Sequence, residues 1–305
     1  MNALNKYSTR FLLLLLPLMA CSCDRKDIFN HEELYTGTVP LSLDWQGVAP
    51  DEQPDMHIHI WGTHTSDARE ETSKDTLFLM DSNTAHLSLL ETEYNIVAWH
   101  DADNLNFDGT HFRLKTDENG YLPEPGTLYA CYDKFRVNAQ QENSFAIKLR
   151  PYTRKLAFSF RLEAQAEGRI EAIKATLSGI ASAKRLDNLL VDEEPAGVIT
   201  WEFKKEAKPD TRAAAEGIGY SARKNLLGIH PGEEQHLVLT LYYTNGEQEV
   251  IEQNLTDHLR KFNNSEEGNE GLSLSANIDF AGQADATATI EDWKQGIDTD
   301  LDADN

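Results

Sequence analysis

The feature that most constrains this chain is a two-residue alternation of apolar and polar side chains, restarted repeatedly between turn residues. Successive side chains of a strand point to opposite faces, so such alternation marks strands with one buried and one wetted face. Val39-Pro-Leu-Ser-Leu-Asp-Trp45 has it, stops at the turn over 50–55, and Met56-His-Ile-His-Ile-Trp61 resumes it before Gly62. Residues 76–80, 86–90, 93–99, 111–114 and 126–132 continue the pattern. Some seven short strands in about 100 residues predict a β-sandwich. After a polar stretch at 137–143 a second set opens, at 144–149, 154–162, 170–179, 197–203, 236–243, 247–251, 272–280 and 286–293. Thr244-Asn-Gly246 reads as the turn of a hairpin. Residues 257–262 read as one or two helical turns with Thr256 as N-cap. The stretches 206–225 and 263–271 lack periodicity and read as mobile. The fold class is therefore all-β, with tandem β-sandwiches over 37–140 and 141–305, the second ending in an acidic tail.

The leading segment has a different character. Lys6 and Arg10 precede Phe11-Leu-Leu-Leu-Leu-Leu-Pro-Leu-Met-Ala20, and Cys21-Ser-Cys23-Asp24 follows at once. The apolar run falls short of the roughly 20 residues that span a bilayer. Basic residues, an apolar run and then small residues make a secretory signal peptide, here 1–20. A cysteine directly after Leu18-Met19-Ala20 looks like a bacterial lipobox, in which the thiol is diacylated and the signal removed. Cys21 is the lipidation site on this reading, Cys23 the alternative, and 21–36 a polar lipidated tether. The bland alternative is an ordinary signal peptide beside two incidental cysteines.

Charge and cysteine content narrow the chemistry. There are 28 basic against 51 acidic residues, a net charge of −23, and the leading segment contributes only basic ones. Such a field repels phosphate backbones and anionic lipid, which excludes nucleic acid as a natural partner. Beyond the lipobox pair only Cys131 remains, inside a β-like run, where a buried small hydrophobe is the simplest reading. His57 and His59 share one strand face and His64 is near, but Ile58 and Ile60 claim the inward face, which leaves the histidines in solvent rather than on a metal. Asp101, Asp103 and the run from Asn104 to Gly109 resemble half a calcium loop, yet Lys115 stands where a bidentate Glu belongs. The acidic run from Asp298 to Asp304 reads as a solvated end. There is no Gly-x-Ser-x-Gly elbow and no Gly-rich phosphate loop. Trp45, Trp61, Trp99 and Trp201 fall in strands and read as core. No cofactor and no enzyme is implied.

Taken in order, the lipobox with Cys23-Asp-Arg-Lys-Asp27, Leu41-Ser-Leu-Asp-Trp45, Glu93-Tyr-Asn-Ile-Val-Ala-Trp99, Arg150-Pro-Tyr-Thr-Arg-Lys-Leu-Ala-Phe-Ser-Phe160, Ala175-Thr-Leu-Ser-Gly-Ile180 and Ile290-Glu-Asp-Trp-Lys-Gln-Gly-Ile-Asp298 form a pattern. The chain resembles the FimB-like fimbrial anchor lipoproteins of Bacteroides-type bacteria along its whole mature length. That resemblance implies tandem transthyretin-like sandwiches, an outer-membrane lipid, a surface-exposed position, and fimbrial subunit proteins as partners. It also implies assembly by strand donation. The sequence itself identifies no groove or donor strand; the strand over 286–293, with its acidic tail, is the candidate partner-facing element, and an ordinary edge strand is the equal alternative. A surface glycan-binding lipoprotein is the alternative, and a hydrolase the third reading. An anchor should show an accepting or donating edge strand, a glycan binder two or three coplanar exposed aromatics, and a hydrolase convergent carboxylates or a Ser/His pair.

Overall fold

The computed structural model describes residues 36–62, 74–162, 168–188, 190–206, 218–263, 271–279 and 288–298. The first half supplies β1 (Thr36–Asp44), β2 (Met56–Gly62), β3 (Lys74–Met80), β4 (Thr84–Leu90) and β5 (Glu93–Trp99). It continues with β6 (Leu105–Phe107), β7 (His111–Leu114), β8 (Tyr129–Arg136), β9 (Phe145–Lys148) and β10 (Arg150–Pro151). One sheet runs β4-β1-β9 and a second β10-β8-β5-β2-β3. Their facing sides pack Val39, Leu41, Leu89 and Ile147 against Met56, Ile58, Ile60, Tyr94, Ile96 and Phe135. The alternation in β2 is obeyed strictly: Met56, Ile58, Ile60 and Gly62 are buried, while the residues between them are half-buried.

The second half supplies β11 (Arg154–Leu162), β12 (Ile170–Ile180), β13 (Ala183–Arg185), β14 (Gly197–Glu202) and β15 (Lys204–Lys205). Next come β16 (Ile218–Leu226), β17 (His236–Tyr243), β18 (Gln248–Asn254), a short helix α1 (Thr256–Leu259), β19 (Gly271–Asp279) and β20 (Thr289–Asp298). The sheets β15-β16-β11-β19-β20 and β14-β12-β17-β18 face each other. Phe158 on β11 meets Trp201 on β14 edge-on at 5.4 Å, both fully buried. An aromatic pair of this kind is worth about 1 kcal/mol beyond its buried area. A bulge between Ile170 and Ala172 shifts the phase of β12, which lets both Ile170 and Ile173 point inward. The hairpin between β17 and β18 turns at Gly246, whose φ of 88° suits glycine, with Tyr243 N–H donating to Glu247 O at 2.9 Å. The molecule is all-β and built as a β-sandwich fold.

Three sequence expectations are corrected. Residues 218–225 lie within the stretch read as mobile, yet with Leu226 they form β16, an interior strand paired to β11 along its whole length. Its inward residues Ile218, Tyr220 and Leu226 are buried; Ala222 and Lys224 stand in the same phase but are only half-buried, which breaks the alternation and hid it from sequence reading. Residues 207–217 and 264–270 lie outside the described residues. Thr256 does not cap α1: its hydroxyl accepts from Gln235 N–H at 2.9 Å, and Leu255 occupies the cap position. Residues 145–151, counted above with the second set, pair with the first: β9 runs parallel to β1, and β10 pairs with β8.

A third sheet, β13-β7-β6, joins the halves. Ala183, Lys184 and Arg185 pair with Arg113, Phe112 and His111. Around this seam His111 Nε2 lies 2.9 Å from Asp192, and Arg113 reaches Glu194 at 2.6 Å and also Asp108. Phe112, Leu122, Leu128 and Tyr152 from the first half belong to the same buried cluster as the second sandwich.

Candidate functional site

The side of the first sandwich formed by β3 and β4 is the most open apolar surface of the described residues. β3 is the outermost strand of its sheet and β4 the outermost of the facing sheet. The two follow each other in sequence, so both edges lie on one side. On the inward faces Phe78, Ala85 and Leu87 are only half-buried against the core. On the outward face of β3, Leu77 and Leu79 are 63% and 54% exposed. Leu77 sits opposite His59 and Leu79 opposite His57, so both leucines extend the outer face of β2. An edge strand carries a row of unpaired N–H and C=O groups, and exposed apolar side chains on it are ones that natural sequences usually replace with charge. Chemically, this side can add a strand and bury its alternate side chains.

The outer face of the same sheet holds an aromatic run. His57 stacks on Trp99 at 5.2 Å, Trp99 meets Phe107 at 4.5 Å, and Phe107 stacks on Phe112 at 4.6 Å. His59 lies 4.8 Å from Trp61, and Trp61 6.4 Å from Tyr132. His57 and His59 therefore do stand opposite Ile58 and Ile60, each beside a carboxylate: Asp101 at 3.5 Å and Asp75 at 2.6 Å. Among the described residues no group of three or more His, Cys, Asp or Glu has metal-holding geometry; His64 lies outside them. Trp61 and Trp99 are half-buried and tilted against their neighbours, which does not make the coplanar exposed platform set out for a glycan binder. Trp45 and Trp201 are buried, and Trp45 donates to Asn83 Oδ1 at 3.0 Å.

The other sequence candidates are placed as follows. Asp101 pairs with His57, while Asp108 Oδ1 accepts from Thr110 and His111 N–H at 2.9 and 2.7 Å and its other oxygen meets Arg113. The loop that resembled a calcium site is thus organised by its own turn and ion pair. Cys131 on β8 is buried, and burial pushes its thiol up to about 11, so at neutral pH it is protonated and unreactive. A shallow groove of about 230 Å³ on the β11-β16-β19 face holds Ser159 and Ser275 with one carboxylate, Glu206, and no histidine. β20 is the outermost strand of its sheet and pairs antiparallel with β19; it begins at Thr289 and runs to Asp298, further than the 286–293 expected. Cys21, Cys23 and the tail beyond Asp298 lie outside the described residues, and among those described no helix is long and apolar enough to cross a membrane.

Residues 68–297 match the family described as fimbrillin-A associated anchor proteins Mfa1 and Mfa2. The chain belongs to this family. It is a family of fimbrial anchor proteins, not of enzymes. No curated protein sequence matches the chain. Among solved structures, the fimbrial anchor protein Mfa2 from Porphyromonas gingivalis shares the fold, with a TM-score of 0.52 at 16% identity over 85% of this chain and 97% of that one. Two proteins provisionally described as adhesins do so as well. One, from Bacteroides thetaiotaomicron, has a TM-score of 0.52 at 12% identity over 85% and 97% of the two chains. The other, from Bacteroides ovatus, has 0.51 at 13% over 78% and 89%. At such identities the likeness is one of fold. Within the fimbrial anchor family the β3–β4 side was the feature sequence reading missed. The alternation in 76–80 places Leu77 and Leu79 on one face, and that signal is present, but nothing local says that the face is without a cover among the described residues.

Proposed function

We propose that this chain is a lipid-anchored, surface-exposed protein of the outer membrane that holds a fimbria by binding a stalk subunit, without catalysing a reaction. Residues 1–20 act as the signal peptide, Cys21 carries the lipid with Cys23 as the alternative, and 21–36 form the tether. Two sandwiches follow, and the partner docks on the open β3–β4 side. The observation that carries the reading is the pair Leu77 and Leu79, exposed on an outermost strand in a chain that belongs to an anchor family. The partner's added strand would pair with the outer edge of β3, which has no neighbouring strand among the described residues, and cover Leu77, Leu79 and Phe78. Lipid supplies the other attachment: each buried methylene contributes about 0.8 kcal/mol, and a single chain holds only reversibly, so a multiply acylated cysteine suits a load-bearing role.

The test is made in cells. A palmitate analogue should label the wild type and be lost in Cys21→Ala, with Cys23→Ala as the alternative site. A photo-crosslinking residue at position 77 should yield a product with a fimbrial subunit. Label retained in both cysteine variants would remove the assignment of the lipid to Cys21 or Cys23, and no label on the wild type would remove the lipid anchor. A lipidated protein whose position 77 captures no subunit would remove the docking assignment.

A further inference from the structure

Away from the β3–β4 side, a cleft of about 580 Å³ opens between the halves, lined by residues 104–106 and 115–117 and by Tyr121, Glu124, Thr200 and Lys224. Its volume falls within the usual range of small-ligand sites, and such sites favour the junction between domains. Both walls are held in place. Tyr121 forms a parallel bridge with Val198 on β14, and Leu122 N–H donates to Val198 O at 2.7 Å. Gly197 makes that approach possible, since a Cβ there would come within 2.4 Å of Leu122 Cγ. On the opposite wall Asn104 takes a left-handed φ of 62° and donates through Nδ2 to Glu124 O at 2.8 Å. Glu124 in turn pairs with Lys224 at 3.3 Å and accepts from Asn225 N–H at 3.1 Å. The cleft is therefore formed before any ligand arrives.

Its chemistry is mixed and balanced. Lys115 and Lys224 face Asp117 and Glu124, so the formal charges of the lining cancel, in a chain whose net charge is −23. Asp117 Oδ1 accepts from the N–H groups of Asn119 and Tyr121 at 2.8 Å. Among the described residues Lys115 has no ionic partner, and Asn106, Thr116 and Thr200 are exposed. Tyr121, 36% exposed, is the one large aromatic among the exposed hydrophobics described. An anion would meet Asp117 and Glu124, a cation would meet the lysines, and a wholly apolar ligand would cover Leu105, Tyr121, Leu122 and Pro123 only by burying the charged and hydroxyl groups between them. A sugar ring offers a C–H face to an aromatic and hydroxyls that both donate and accept.

We propose that this cleft binds an uncharged saccharide, with the Tyr121 ring against the sugar's C–H face and Asn106, Lys115, Asp117 and Thr200 on its hydroxyls. This is a second binding function, at a different place from the aromatic run on β2 and β5; it uses a walled cleft with one aromatic and converging polar groups instead of the coplanar platform expected of a surface glycan binder, and it stands or falls independently of stalk binding.

The experiment is a glycan microarray carrying neutral and acidic glycans of mammalian and of bacterial origin, probed with the purified full-length protein in detergent. Neutral glycans should bind, and the set that binds identifies the source. Tyr121→Ala should weaken binding by about tenfold and Tyr121→Phe should largely preserve it. Lys115→Ala and Asn106→Ala should each weaken it several-fold. Since these side chains are exposed, the thermal midpoint should not move, and Leu79→Glu on the other side should leave glycan binding intact. No neutral glycan bound, a preference for acidic glycans, or binding undiminished in Tyr121→Ala would each overturn the assignment.

Discussion

Lys184 holds its ammonium 2.8 Å from the Tyr152 carbonyl and 4.4 Å from the centre of that residue's ring. Part of its stem meets solvent, but the charged end is enclosed there, and burial, with the nearby Arg154 guanidinium, pushes its pKa down to about 7 from an ordinary 10.5. The folded state thus releases a proton that the unfolded chain keeps between about pH 7 and 10.5. Stability from this group therefore rises with pH across that window and is lowest below it. Lys184→Met should flatten the dependence and stabilise the protein at pH 7, by up to a few kcal/mol, read from urea unfolding at pH 7 and 10. A slope unchanged in the variant would show that the amine is solvated. His100 works in the same direction, in a lower pH window. It is buried, its Nε2 accepts from Tyr129 N–H at 3.0 Å and its Nδ1 donates to Asp101 O at 2.7 Å. Burial lowers its pKa, so the neutral ring is the folded form. Its contribution is complete above the ordinary value of 6.5 and is lost as pH falls below it towards the folded pKa. His100→Ala leaves the Tyr129 N–H without its acceptor and should cost about 1–3 kcal/mol in urea unfolding at pH 7.5. A variant as stable as the wild type would show that water replaces the ring. Neither residue stood out in the sequence, because burial and partners arise from contacts distant along the chain, whereas the β-like run around Cys131 already suggested a buried small hydrophobe.

At the scale of elements, legibility follows how cleanly two faces differ. β2 and β17 have a buried face and a more open face, and the two-residue period found them; β5 and β11 are buried on parts of both faces and were found by their apolar, branched and aromatic content as well. β16 failed that test because Ala222 and Lys224 stand in the positions that continue from Ile218 and Tyr220. β13 and β15 are too short, at three and two residues, to carry any period. β9 was found but assigned to the wrong neighbours, since alternation says which side is buried and not which strand is beside it. β3 shows the same limit on function. Its period was legible, but whether its outer face meets a partner depends on what else the fold brings there. Leu77→Glu with Leu79→Glu should change folding stability little, within about 0.5 kcal/mol per site, because both side chains are already in water. The same pair should abolish crosslinking to the fimbrial subunit. Stability falling by several kcal/mol would instead mean that the leucines are covered within the chain.

For the whole molecule, the question is whether two sandwiches joined by a short connection behave as two bodies or one. An anchor that passes load from a filament to a lipid would fail at a loose joint. The connection here is more than covalent: β13 pairs with β7 across the halves, His111 and Arg113 reach Asp192 and Glu194, and Phe112 and Leu122 are buried in the cluster that serves the second sandwich. Phe112 lies at the joint, 4.6 Å from Phe107 and 5.2 Å from Tyr152, and its backbone is opposite Lys184 of the second half. Separating the halves would expose these rings together with the Lys184 pocket, so neither half can open cheaply alone. Calorimetry should therefore show one cooperative transition whose calorimetric and van't Hoff enthalpies agree. Phe112→Ala removes the ring at the joint and should cost about 3–5 kcal/mol. The same substitution should split the transition, with the first sandwich melting earlier. Two transitions already present in the wild type would mean that the seam adds little, and force would then have to be carried by the connection through Tyr152 and Thr153 alone.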